Sequence, residues 1–191
     1  MTKAEVLSES LSDMLGVEQL ALERIDRQIR DERVKKFFNA SESLRKINAV
    51  LKTHTKEIEK HLIGLNAGVE TRLKKAATSF AGSFADLYSK LRTKEPVSRI
   101  LRDDYTLLNL AVITYGMLET AALALSETEI SSMAQRHMRD LTPFIVELSD
   151  IIPHVLAGEL AEKGKIEDVA VAQQAVAQYR QAWSREVTMR S

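Results

Sequence analysis

Four histidines and one oddly placed glutamate are the residues of this chain whose types and spacing bear on chemistry. A histidine three residues after a glutamate shares a helix face with it, so the two converge on one cation. The residues three before His54, His61, His137 and His154 are Leu51, Ile58, Ala134 and Ile151, and none is acidic. His137 and Asp140 are three apart in the reverse order, an incomplete metal pair. Glu18 falls in an otherwise apolar seam, where it is either a metal ligand or acid in a polar pocket, or a carboxylate bonded to Tyr105 or Tyr115 or leaning out to solvent. The expectation is the satisfied carboxylate. Tyr105, Tyr115 and Glu119 follow one face of a later helix, where packing with bonded hydroxyls is expected rather than a pocket. The metal candidates are therefore Glu18, Glu119, His137 and Asp140.

His54 and His61 lie two turns apart, with Glu57 one turn before His61, and read as a solvated polar face rather than a surface ion site. The chain has no cysteine, which excludes disulfides, thiolate zinc sites and cysteine nucleophiles. No glycine-rich phosphate loop, serine nucleophile motif or nucleotide fingerprint is present.

Helices must position these groups. With 191 residues, only seven Gly and three Pro, the chain is long enough for a sizeable core and poor in turn signals. Thr2 and Glu5 have the form of a capping box, and Leu7, Leu11, Met14, Leu22, Ile25 and Ile29 make the first apolar stripe, with Glu18 inside it. A second helix is expected from about Arg33 to about Leu62, capped by Asp31 and ended by Gly64 and Gly68. Residues 69–96 read as short helical pieces in a long crossover link, with Phe80, Phe84, Leu87 and Leu91 on one face. A third helix, from Ser98 to Leu125, is apolar on all sides, as a central helix, or one that also meets a second subunit, would be. Ser126 and Glu129 form a second candidate capping box opening a fourth helix. Pro143 and Pro153 predict a kink or break within it. Gly164 closes a bundle of residues 1–164, and an amphipathic helix follows within 165–191, carrying Val169, Val176, Tyr179, Trp183 and Val187.

Lysine plus arginine balance aspartate plus glutamate at 27 each, so no net field draws the chain to nucleic acid. The stretch 105–125 has the length of a membrane span, but Asn109 and Glu119 favour burial among other helices instead. The N-terminus lacks a secretory pattern, so a cytoplasmic location is expected.

Four long helices, a long link between the second and third, and a carboxylate in the first seam resemble a ferritin-like domain. The closer likeness is to the bacterial stress-associated YciE/YciF-type branch of that superfamily. It is carried by residues 11–20 (Leu-Ser-Asp-Met-Leu-Gly-Val-Glu-Gln-Leu), by residues 74–87 and by residues 113–118 (Ile-Thr-Tyr-Gly-Met-Leu). The likeness covers roughly residues 5–157 and leaves out the last helix. It implies a centre of two metal ions held by a glutamate from each of two helices and Glu-x-x-His from each of two others. On that pattern the third helix should offer donors near Leu108, Asn109 and Ala111, and the second near Ser41, Ser43 or Leu44. Only Glu18 and Asp140 stand where ligands are expected. The expectation is an all-α, non-catalytic ferritin-like four-helix bundle with a structural, interaction or stress-response role. No cofactor is expected; a homodimer is, with the last helix available to a protein partner. The alternative is a metal-binding relative, with iron or manganese on a rearranged carboxylate site. A third possibility is a small-molecule binder using the vacated space.

Overall fold

The structure, a computed structural model, describes residues 2–65 and 95–188. Among these residues every regular element is a helix: α1 (Lys3–Gln28), α2 (Glu32–Lys35), α3 (Phe38–Gly64), α4 (Val97–Ala124), α5 (Thr128–Glu162) and α6 (Val171–Thr188). The expected crossover link falls on residues 66–94, outside the described residues.

Local chemistry sets most of the boundaries. Thr2 and Glu5 form the expected reciprocal capping box at the start of α1. Asp31 caps α2 through the backbone N–H of Arg33, so the expected second helix is divided into one short turn and α3. Pro96 offers α4 no capping side chain. Glu159 of α5 supplies it instead, accepting from the N–H groups of Val97 and Ser98 and from the Ser98 hydroxyl at 2.6 Å. That acid suits the positive end of the helix dipole.

Two expectations are corrected here. Ser126 is no N-cap. Its φ is 59°, and it ends α4, with the N–H of Glu127 bonded to the carbonyl of Ala122 and its own to that of Leu123. Gly164 (φ 62°) ends α5 by the same pair of bonds. Of the kink or break expected in α5, the break does not occur: the helix is continuous through Pro143 and Pro153. Pro143 and Arg139, whose carbonyl it leaves without a helical donor, are both exposed, so solvent can take that hydrogen bond.

Helix α1 packs on α3 and α4, and α5 packs on the same two, which closes the four long helices into a ring. Directions follow from cross-ring pairs. Arg24 meets Asp104 while Glu18 meets Tyr115, so α1 and α4 are antiparallel. Ser98 meets Glu159 while Tyr115 meets His137, so α4 and α5 are too. Lys36 pairs with Glu162 and His54 with Asp140, so α3 also opposes α5. Helices α3 and α4 therefore run parallel on opposite corners. Arg33 donates to the carbonyl of Glu95 at 2.9 Å, so the chain enters α4 beside the start of α3, about 40 Å from its end.

The core is the set of inward stripes: Leu7, Leu11, Met14 and Leu15 of α1, Leu44, Ile47, Leu51 and Ile58 of α3, Leu101, Leu108 and Leu118 of α4, and Met133, Leu141 and Leu148 of α5, all sealed from solvent. Each contributes about 1.5–3 kcal/mol by leaving water. Helix α4 is not buried on all sides, which leaves the second of the two expected settings, contact with a second subunit. It passes the length and composition test for a membrane span, yet only a third of its most apolar window is buried, and Ile113, Met117 and Leu123 are exposed. Its polar residues Thr106, Asn109, Thr114 and Thr120 bond back to carbonyls one turn earlier, which hides their polarity within the helix. Helix α6 lies on α5 through Arg180 and Asp150.

Candidate functional site

Each of the four long helices sends one polar side chain to the same level of the interior. Glu18 comes from α1, His54 from α3, Tyr115 from α4 and His137 from α5, and none is more than 2% exposed. Each interrupts an apolar stripe: Glu18 follows Met14, His54 stands between Leu51 and Ile58, and His137 stands between Met133 and Leu141. Helical geometry therefore aims all of them at the axis of the ring.

The side chains form a continuous chain of contacts. Tyr115 donates its hydroxyl to Glu18 Oε1 at 2.6 Å. His54 Nδ1 meets the same oxygen at 2.9 Å, and His137 Nδ1 meets the Tyr115 hydroxyl at 2.8 Å. On the outer side, His54 Nε2 faces Asp140 Oδ2 at 3.2 Å and His137 Nε2 faces Glu57 Oε2 at 3.0 Å. Arg136 holds the other Glu57 oxygen. The two imidazoles are stacked, with centroids 3.7 Å apart and planes 7° from parallel, and Tyr115 meets both edge-on.

Five contacts link these six groups, from Asp140 through His54, Glu18, Tyr115 and His137 to Glu57. Neutral imidazoles supply one N–H each, a phenol one O–H and ionised carboxylates none, so three hydrogens serve five contacts. The cluster is electron-rich. In addition, Glu18 Oε2 is buried with no hydrogen-bond partner among the described residues.

Electrostatics follow from burial. Desolvation raises the Glu18 carboxyl above its usual range, with His54 and Tyr115 opposing the shift. It pushes His137 down to about 4, reinforced by His54 and opposed by Glu57. Tyr115 is driven far above the usual phenol range, first by burial and then by Glu18. Burial also opposes the charge of Glu57, but the hydrogen bonds from His137 and Arg136 outweigh it and lower that carboxyl.

Of the metal candidates named from the sequence, the structure brings together Glu18, His137 and, at the rim, Asp140. Asp140 reaches His54, not His137. Glu119, one turn beyond Tyr115, is half-buried and takes no part in these contacts. Tyr115, not Tyr105, bonds Glu18, through one of its two oxygens; Tyr105 instead meets Tyr179 of α6. The expected solvated face of His54 is corrected: its ring is buried, because residue 54 lies on the same stripe as Leu51 and Ile58. The donor levels implied by the resemblance are also displaced. Ser41, Ser43 and Leu44 lie about three turns from His54 along α3, and Leu108, Asn109 and Ala111 about one to two turns from Tyr115 along α4. The two imidazoles and the phenol ring lie together between the helices at this level. A groove of about 480 Å³ opens elsewhere, lined by Phe37, Phe38, Asp150 and His154.

No protein-family model matches this chain, and no match was found among curated proteins or solved structures.

Proposed function

We propose that this chain is a ferritin-like bundle whose two-ion centre has been reduced to a hydrogen-bonded cluster, so that its role is non-catalytic. The observation that carries the reading is what stands in the other half of the donor set. A pair of ions needs an acid three residues before each histidine, and Leu51 and Ala134 are there. It also needs a second glutamate across from Glu18, and Tyr115 is there. Two divalent cations sharing one inner carboxylate would be left far short of the negative charge that offsets their dehydration.

Support for the ferritin-like part comes from the parallel α3 and α4, and from the entry of α4 beside the start of α3. One-crossover bundles have that arrangement. The reading is tested by counting metal after loading the chain with Fe²⁺ under anaerobic conditions. Two ions per chain would end it.

The same reading includes self-association in a structural, interaction or stress-response role. Its support is the exposed stripe of Ile113, Met117 and Leu123, on a helix with no charged residue from 105 to 118. Met117→Glu is expected to shift sedimentation from dimer to monomer. An unchanged sedimentation coefficient would remove α4 from the interface.

A further inference from the structure

We infer that Glu18, His54 and His137 form a binding site for a single divalent transition-metal ion of the zinc class, backed by Glu57 and Asp140. The inference rests on the reduced-centre reading above but goes beyond it, because that reading holds whether one ion binds or none.

Four observations point the same way. One ligand atom from each of Glu18, His54 and His137 lies within 4.8 Å of the other two, and all three residues are buried. Glu18 keeps one oxygen, Oε2, without a hydrogen-bond partner in a sealed interior. Such an atom is costly unless something positive meets it. Both histidines turn Nδ1 inward, toward Glu18 and the Tyr115 hydroxyl, and Nε2 outward. Each outward nitrogen faces a carboxylate, Asp140 for His54 and Glu57 for His137. A carboxylate behind the far nitrogen is what fixes the tautomer of a metal-bound histidine and strengthens its inner lone pair.

The donor set selects the ion. Two imidazoles and one carboxylate suit zinc and its first-row neighbours, whereas magnesium and calcium need oxygen shells. An ion held by these three buried ligands would cross-link α1, α3 and α5. The stacked rings direct their in-plane lone pairs side by side, so capture requires one ring to turn. His137, whose inward contact is a neutral hydroxyl, gives up less than His54, whose contact is the glutamate itself.

The test is calorimetric titration of the metal-stripped full chain with Zn²⁺ in excess Mg²⁺, with elemental counting of the loaded protein. One Zn²⁺ per chain is expected. Glu18→Gln should weaken binding by about 100-fold or more, and Asp140→Asn and Glu57→Gln by roughly 10–100-fold each. Glu57 and Asp140 are 31% and 47% exposed, so those two variants keep the core intact, and their unfolding midpoints confirm it. His61→Gln and His154→Gln should leave binding unchanged. Absence of binding at millimolar Zn²⁺, or binding lost with His61 or His154 and kept in Glu18→Gln, overturns the site alone. Two ions per chain, both lost in Glu18→Gln, overturn it together with the reduced-centre reading.

Discussion

Replacing Arg24 with methionine is expected to destabilise the fold by about 3–5 kcal/mol, the cost of leaving a buried partner charge uncompensated. Arg24 Nε donates to Asp104 Oδ1 at 2.7 Å, and its Nη2 reaches Asp103 Oδ2 at 3.3 Å and the carbonyl of Ile100 at 3.4 Å. Gln28 adds a second donor to Asp104 Oδ1 at 3.0 Å, while Asp104 Oδ2 has no partner among the described residues. The pair joins α1 to α4 one to two turns from Glu18 along α1 and about three turns from Tyr115 along α4.

Burial already raises Asp104 to about 6, and Arg24 and then Gln28 are what hold it down. Methionine removes the stronger restraint, so the carboxyl rises further. An acid whose folded pKa lies above its unfolded value gains stability as pH falls through the folded pKa. Arg24→Met should therefore recover part of its loss between pH 7 and pH 5. Adding Asp104→Leu should return part of the stability at both pH values, because the buried ion pair is then gone while Gln28 is left without its acceptor. Urea unfolding of the two variants at pH 7 and pH 5 measures this. A loss under 1 kcal/mol for Arg24→Met would show that the pair contributes no more than a surface ion pair.

The second large effect is acid sensitivity at the central cluster of the metal-free chain. His137 titrates near 4 in the folded state against 6.5 unfolded. With the folded pKa below the unfolded one, the unfolded chain takes the proton first as pH drops. Stability is then lost progressively from about pH 6.5 down to about pH 4 and is unaffected above that window. From pH 7 to pH 5 the loss is about 2 kcal/mol. Asp104, raised to about 6, works in the opposite direction over the same range, and Glu18 is raised as well, so total stability does not isolate the histidine. The difference from His137→Gln does: the unaltered chain should lose about 2 kcal/mol more than the variant between pH 7 and pH 5. Equal losses would mean that His137 meets solvent or gains a compensating partner on protonation. His54, Glu57, Tyr115 and Arg136 are the groups that face it.

The helices were legible wherever local signals decide them. The capping box of Thr2 and Glu5, the cap at Asp31 and the stripes of α1, α3 and α5 depend on spacing alone, and spacing is visible in one dimension. Ser126 misled because a serine followed three residues later by a glutamate looks like a helix start. Its neighbours instead needed a residue with positive φ to end α4. The apolar surplus of α4 left central burial and contact with a second subunit both open, because composition does not say which face is covered.

The cluster was half legible. Glu18 stood out as a carboxylate in a seam, and Tyr115 was one of its two named partners. His54 and His137 gave the same signal, each a polar residue inside an apolar stripe, but a search for acids three positions earlier passes over histidines that lack them. Which residues meet across a bundle depends on the relative register of helices joined by long connections. That register has no local signature, so the donor levels on α3 and α4 were misplaced. Glu57, the carboxylate behind His137, sits three residues beyond His54 and pairs with a different helix, and no pattern along one strand of sequence marks that.

The most direct measurement is the number of ions the full chain retains after equilibrium dialysis against Mn²⁺ or Fe²⁺ without oxygen, followed by elemental analysis and protein quantitation. With Leu51, Ala134 and Tyr115 in three of the six donor places, the count should not exceed one per chain. A count of two, retained through removal of free metal, would mean that other side chains complete the centre and would contradict the account.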